Sequence, residues 1–295
     1  MNNMVVSSLR WMAYPLTLIF GVFFYASLTH VGISIAIASF IAVIVCGACI
    51  VTALEIFLPY RKEWTPQPDE IKIDLMFMML VQVGLPKILT IYCTLGLIHL
   101  VDMNELYLAS TWPQHWPLWL QVLLMMLAAD FFRYWLHRAM HTWVPLWSFH
   151  AVHHSVTKLY WLNVGRFHPI DKCLQFLFDV IPFIVLGVSQ DVVMLYFVIY
   201  AINGFFQHSN IDVRLGWLNY IVSGPELHRW HHSKTVKQSN NNYGNNFIVW
   251  DLIFGTYFLP CDQAVKTLGV LNPDYPTGFL GQLKAPFIRG MDKPQ

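Results

Sequence analysis

This chain of 295 residues is short of charge. Only 12% of its residues are Asp, Glu, Lys or Arg, where soluble domains carry about 25%. An ordinary water-facing surface is thereby excluded. The net charge of +1 leaves no basic field of the kind nucleic-acid binding needs. The five cysteines lack disulfide-framework or zinc-ribbon spacing. Cys46 and Cys49 form a C-x-x-C inside an apolar run, where two small helix residues are a better reading than a redox pair. No cytochrome b5 haem motif and no flavin fingerprint appears, so any electrons for redox chemistry must come from separate partners. There is no internal repeat or low-complexity tract, and the strand signal is weak throughout.

What the chain does have is apolar length. Hydrophobic residues make up 56% and aromatics 16%. A membrane helix needs about 20 apolar residues, and four runs qualify: 11–28, 31–54, 75–100 and 116–135. Two shorter runs, 173–188 and 192–206, suit re-entrant or buried segments. Arg10 precedes the first run in the manner of a signal peptide. The run is long and lacks a small-residue cleavage site, so a retained helix is predicted. Arg10, Arg61, Lys62, Lys72, Arg133 and Arg138 all fall on one side of the four crossings. The connections around His30 and over 101–115 hold no Lys or Arg. The positive-inside rule then places both termini and the histidine clusters in the cytoplasm. The predicted class is all-α integral membrane, with about four transmembrane helices in two hairpins and a cytoplasm-facing helical, histidine-rich region. Residues 1–56 form the first hairpin, 58–70 a polar linker, 71–135 the second hairpin and 261–295 a surface tail. The chemistry falls in 120–260.

Eight histidines form three tight clusters: His137 and His141; His150, His153 and His154; His228, His231 and His232. Neutral imidazole is the commonest side-chain metal ligand. At about 100° per residue, positions i and i+4 share a helix face, so each cluster is predicted to present its rings within one narrow sector. A catalytic zinc site uses about three protein ligands and a closed one four. Eight histidines therefore suggest two metals. Ligand type alone leaves iron, copper, nickel and zinc open. His30, His99 and His115 stand alone and read as ordinary core or surface residues.

The boxes H-x3-H, H-x2-H-H and H-x2-H-H resemble the fatty acid hydroxylase / sterol desaturase superfamily of membrane di-iron enzymes. The flanks of the second and third boxes match too, from Trp147 to Ser155 and from Pro225 to Ser233. So do Arg166-Phe-His168-Pro169, Gln207-His208-Ser209-Asn210, Asn242-Tyr-Gly-Asn-Asn246, and Trp250 to Tyr257. The resemblance covers about residues 120 to 260. It implies a catalytic region in which two irons and O2 attack a C–H bond of a fatty acyl chain, a sterol or a head-group-bearing lipid, by hydroxylation or desaturation. It implies His137, His141, His150, His153, His154, His228, His231 and His232 as iron ligands and His208 as a further one. His168 is either a ligand or a donor to one. Metal-bound histidines pass their other N–H to a carboxylate or carbonyl. Asp130, Asp171, Asp212, Glu226 and Asn246 are the candidates for that role or for ordering the site. Each of the four carboxylates is equally a candidate cap or surface charge, and Asn246, with Asn242 and Asn245, reads better as an ordinary turn residue. Arg133, Arg138 and Arg229 lie beside the ligands and suit head-group binding, contact with an acidic donor, or interfacial snorkelling. The implied partners are the membrane, a lipid and an external electron donor, either a cytochrome b5-type protein or a ferredoxin with its reductase. Zinc outranks iron(II) in general affinity, so zinc can occupy purified protein.

Two rivals stand beside this reading. An acyl desaturase of the other histidine-box family has a similar ligand count but different box spacing and flanks. A metal transporter or metal-binding protein should carry ligands along a path through the membrane. Here the runs before Phe131 hold only His30, His99 and His115, none paired at ligand spacing.

Overall fold

In lipid, backbone polar groups must be satisfied within the segment itself, so long apolar runs close into helices. The computed structural model describes residues 3–104 and 111–291. It has helices α1 (Asn3–His30) and α2 (Ile35–Phe57), the latter with a π-helical stretch at Val43–Ile50. Helix α3 begins at Pro68, passes through a π-helical stretch at Phe77–Gly84 and continues as Leu85–Asn104. Helix α4 is Leu118–Thr142. Among the described residues four helices are long and apolar enough to cross a membrane: Met4–His30, Ile35–Phe57, Pro68–Cys93 and Leu118–Thr142. Their outer faces present Ile19, Phe23, Ile37, Ile56, Leu80 and Ile88 without cover, as lipid-facing surfaces should. No strand forms among the described residues, only isolated bridges.

Shorter helices follow: α5 (Val144–His154), α6 (Pro169–Asp179), α7 (Ile181–Val185), α8 (Gln190–His208), α9 (Pro225–His231), α10 (Val236–Ser239), α11 (Val249–Phe254) and α12 (Phe279–Lys284). The 192–206 run becomes the centre of the molecule. Helix α8 packs against α1, α2, α4 and α9. Small residues let the backbones close in. A Cβ on Gly47 would lie 2.4 Å from the Phe205 ring, and one on Gly21 would lie 2.3 Å from Ile202. Cys46 is buried in this interface while Cys49 is exposed, and both are free thiols.

Three boundaries differ from the sequence reading. Helix α3 starts inside the expected polar linker, because Pro68 occupies its first turn and Glu70 accepts the Gln67 N–H at 2.7 Å. Helix α4 runs past 135 to Thr142, so His137 and His141 ride on the same rod as the fourth apolar run. The tail is packed rather than peripheral. Val265, Leu268, Val270, Tyr275 and Ala285 are buried, Phe279 meets Phe77 with ring centroids 4.6 Å apart, and Gln282 donates to Ser155 Oγ at 2.8 Å. Of the lone histidines, His30 and His115 are exposed. The side chain of His99 and residues 105–110 of the 101–115 connection lie outside the described residues.

Candidate metal centre

Four helix segments deliver nine imidazoles to one place. Helix α4 ends in His137 and His141. After a single extended residue, Trp143, helix α5 opens on Pro145 and carries His150, His153 and His154. His208 is the last residue of α8. Helix α9 opens on Pro225 and presents His228 and His231, with His232 at its C-cap. Pro at a first helical turn costs no hydrogen bond and fixes the entering backbone.

The nine rings divide into two groups. His137, His141, His150, His154 and His231 form one, and His153, His208, His228 and His232 the other. Within each, one nitrogen per ring lies within 4.8 Å of all the others. The groups touch: the His154 and His232 rings stack with centroids 4.4 Å apart. A histidine cluster on one helix does not share one sector, as the spacing had suggested. His150 and His154 serve the five-histidine group while His153 serves the other. On α9 the assignment is exchanged, with His228 and His232 in the four-histidine group and His231 in the five. The reason is angular. Position i+4 lies about 40° to one side of i and position i+3 about 60° to the other, so adjacent histidines diverge by about 100°.

The nitrogens are oriented as metal ligands would be. The Nδ1 atoms turn outward, to the Tyr243 carbonyl from His137 at 2.9 Å, Asn240 Oδ1 from His141 at 3.2 Å, and the Asp171 carboxylate from His150 at 2.8 Å. His231 reaches the Asn241 carbonyl at 2.8 Å, His153 the Arg166 carbonyl at 3.3 Å, and His208 Asn163 Oδ1 at 2.8 Å. An Nδ1–H that donates to such an acceptor leaves the Nε2 lone pair facing inward. The buried Nε2 atoms of His137, His150, His208 and His231 have no partner in the protein. The Nε2 atoms of His141 and His154 lie 3.1 Å apart, as do those of His228 and His232. Unpaired buried acceptors are costly, and a cation held in each group would satisfy them. Burial, reinforced by repulsion from neighbouring imidazoles, lowers the pKa of His153, His154, His228 and His232 well below the usual range. It brings His208 and His231 down to about 3. These rings are therefore neutral and ready to ligate.

A cavity of about 380 Å³ borders both groups. His137, His150, His153, His208 and His228 line its inner end, and Ala36, Phe40, Val83, Pro86 and Met194 line its outer end. Phe40 and Val83 are exposed on the outer faces of α2 and α3, so the cavity opens sideways between the apolar helices.

The fatty acid hydroxylase family matches residues 122–256. Ornithine lipid hydroxylase OlsE of Rhizobium tropici is 34% identical over 96% of this chain and 85% of its own length. Alkylglycerol monooxygenase of Xenopus tropicalis is 30% identical over 55% of this chain and 34% of its own. Very-long-chain aldehyde decarbonylase GL1-8 of Oryza sativa subsp. indica is 29% identical over 50% and 57%. No solved structure matches. The chain belongs to the fatty acid hydroxylase family. It is an oxidoreductase, and iron-binding histidine clusters characterise the family.

The other site residues read from the sequence divide sharply. His168 lies outside both groups: its Nδ1 accepts the Ile170 N–H at 3.1 Å, capping α6, and its Nε2 faces the Leu283 carbonyl at 3.2 Å. Asp171 holds His150 directly. Asp130 accepts from the Asn246 side chain and from the backbone N–H groups of Asn246 and Phe247, so this pair anchors the loop behind the site without touching an imidazole. Asp212 pairs with Arg10 at 2.8 Å. Glu226 takes the Leu215 N–H at 2.6 Å and Asn219 at 2.9 Å. Arg229 is buried, donates to the Ile211 carbonyl and sits 4.0 Å from the Tyr60 ring centroid. It is therefore neither a snorkelling residue nor a contact for a donor protein. Arg138 donates to Tyr134 Oη and covers Trp135. Arg133 pairs with Asp179.

Sequence reasoning missed Asn163, Asn240, Asn241 and the carbonyls of Arg166 and Tyr243. The one available signal was the asparagine run 240–246, of which the sequence reading weighs only Asn242, Asn245 and Asn246, as loop-ordering or ordinary turn residues. Within it Asn242 adopts φ 58°, a left-handed conformation that asparagine tolerates. Its side chain spans the Leu227 and Phe258 carbonyls. Asp251, also unassigned, accepts the N–H groups of Tyr243 and Gly244 and so fixes the strip that holds His137.

Proposed function

We propose that the chain is a membrane di-iron hydroxylase that inserts one atom of O2 into a C–H bond of a membrane lipid. The observation that carries this reading is the cavity joining both histidine groups to the lipid-facing side of α2 and α3. A lipid can reach the centre sideways without leaving the bilayer. Lipid is also what the relatives' names describe, an ornithine lipid in one case and an alkylglycerol in another. Two irons, one in each group, would supply the oxidising power that an unactivated C–H bond requires. The balance is one lipid C–H, O2, two electrons and two protons giving the hydroxylated lipid and water. The electrons come from an external cytochrome b5-type protein or a ferredoxin with its reductase.

The chain's own residues bind, orient and dry the site. The nine histidines of the two groups are assigned as the ligands, and His168 as a helix cap. Asp171 keeps the Nδ1 proton of His150 in place. Phe167 stacks on His153 with centroids 4.1 Å apart, and the fully buried Trp147 borders His141 and His154. Phe167 lines the cavity and keeps water from its histidines, while Trp147 seals the opposite side under the tail. The catalytic region spans about 120–260 with α12 as its cover, and the clusters face the cytoplasm with both termini.

The test is comparative lipid mass spectrometry of cells with and without the gene, with iron measured in the purified protein. The reading requires a lipid one oxygen atom heavier that depends on the gene and takes its label from 18O2. Metal flux into proteoliposomes without lipid oxidation would replace it with a transporter.

A further inference from the structure

Apart from histidines, three charged residues among the described ones line the cavity: Arg133, Lys172 and Asp179. Each is more than nine-tenths buried. Arg133 stands one helical turn before His137 on α4. Lys172 directly follows Asp171, the partner of His150, and Asp179 lies two turns further along the same face of α6. An acyl chain gains nothing from two cations in its cavity, and burying charge is costly unless it is well paired.

The pairing inside the protein is incomplete. Arg133 Nη1 and Asp179 Oδ2 are 3.4 Å apart, and neither Arg133 Nη1 nor Asp179 Oδ1 has a hydrogen-bond partner in the protein. Lys172 Nζ reaches Gln175 Oε1 at 3.3 Å and otherwise faces the rings of Phe167 and Tyr200 at 5.6 and 6.0 Å. Asp171 also acts on Arg133 through space, but its oxygens are engaged by His150 and Gln175, so Arg133 and Lys172 keep donors to spare beside the metal ligands.

We propose that Arg133 and Lys172 bind an acidic group in the head of the lipid substrate. The lipid thus lies head-inward, its chains trailing out past Phe40 and Val83. This rests on the reading of the chain as a lipid hydroxylase and adds the class of lipid and the part oxidised. The acid is held about one helical turn, ~6 Å, from the histidines. The oxidised carbon therefore lies in or next to the head group, not far along an acyl tail. A carboxylate and a phosphate are the two forms such an acid takes in lipids.

Full-length metal-loaded protein, kept anaerobic so that no turnover occurs, is assayed for binding by native mass spectrometry. Three probes share identical acyl chains: a carboxylate-bearing aminoacyl lipid, phosphatidic acid and neutral diacylglycerol. At least one acidic lipid is expected to bind about tenfold to a hundredfold tighter than diacylglycerol, the range of a buried charge-assisted contact. Whichever acid wins identifies the group. Lys172→Met should erase most of that ratio and Lys172→Arg should keep it. Arg133→Gln with Asp179→Asn removes the pair without stranding a charge and must lower the same ratio, so the test stands even if Lys172→Met does not fold. Equal binding of all three lipids, or a ratio that neither variant changes, overturns the proposal. Tight binding of an acidic lipid with no oxidation of any lipid on adding O2 and electrons would overturn the hydroxylase reading and leave this one intact.

Discussion

The five-histidine and four-histidine groups share helices α5 and α9, the first adding α4 and the second α8, yet they are supported differently. In the five-histidine group, four rings rest on protein acceptors through Nδ1, and one of those acceptors is the buried carboxylate of Asp171. In the four-histidine group only His153 and His208 are so held, both by neutral oxygens, while the buried Nδ1 atoms of His228 and His232 have no protein partner. Outer hydrogen bonds fix ring orientation and raise ligand basicity. The first group is therefore the more rigid, and its carboxylate offsets cationic charge. The second has fewer such supports and would depend more on a bound metal for order.

Several substitutions break or sharpen this contrast. The largest effect is expected from removing a ligand. His231→Ala should deplete the five-histidine group and His153→Ala the four-histidine group, each abolishing lipid oxidation. Metal content per protein, with product mass spectrometry, checks this, and loss of both metals in either variant would make the two groups one cooperative unit. Next, Asp171→Asn keeps the shape and removes the charge. It should weaken metal binding at one site by about 10–100-fold, read by competition with a chelator. Asn163→Ala acts on the other group through His208 and should cost about tenfold, the lower end of that range. A larger loss than in Asp171→Asn would reverse the ranking of the groups.

The smallest contrast is expected with acid. His231 and His208, one from each group, are both held at about 3 in the folded chain, against about 6.5 when unfolded. The unfolded chain thus binds more protons below about pH 6.5. Metal-free protein should hold full stability above that pH and lose it progressively as pH falls toward 3. Thermal unfolding of His231→Ala and His208→Ala variants across this range should show similar reductions in slope. Clearly unequal slopes would show that the two sites differ electrostatically as well as in support.

Much of the fold was legible because lipid leaves a chain few options. Apolar runs of sufficient length become helices, and four of them could be counted from composition and spacing. The ends were less legible. Pro68 and Glu70 start α3 early by local capping, a signal present in the sequence but absorbed into a linker. The packing of 265–285 over α5 was hidden, because Val265, Leu268 and Val270 follow no helical or strand period. Among site residues, the clustered histidines announced themselves by repetition. His168 and Glu226 lie between or beside the same boxes in sequence, yet His168 turns to the Ile170 N–H of its own helix and Glu226 to the Leu215 N–H eleven residues back.

The sequence by itself determined that imidazoles would gather in quantity at the end of membrane helices, since composition and helical period are local properties of the chain. Only the tertiary structure decided how they were shared out. The crossing of α5 and α9 sends i+4 pairs to one group and the intervening i+3 residue to the other, and the angle between two helices is written in neither of them. Tertiary structure also placed Arg133, Lys172 and Asp179 around one cavity, because three charges on two separate helices acquire a common purpose only when packing brings them together.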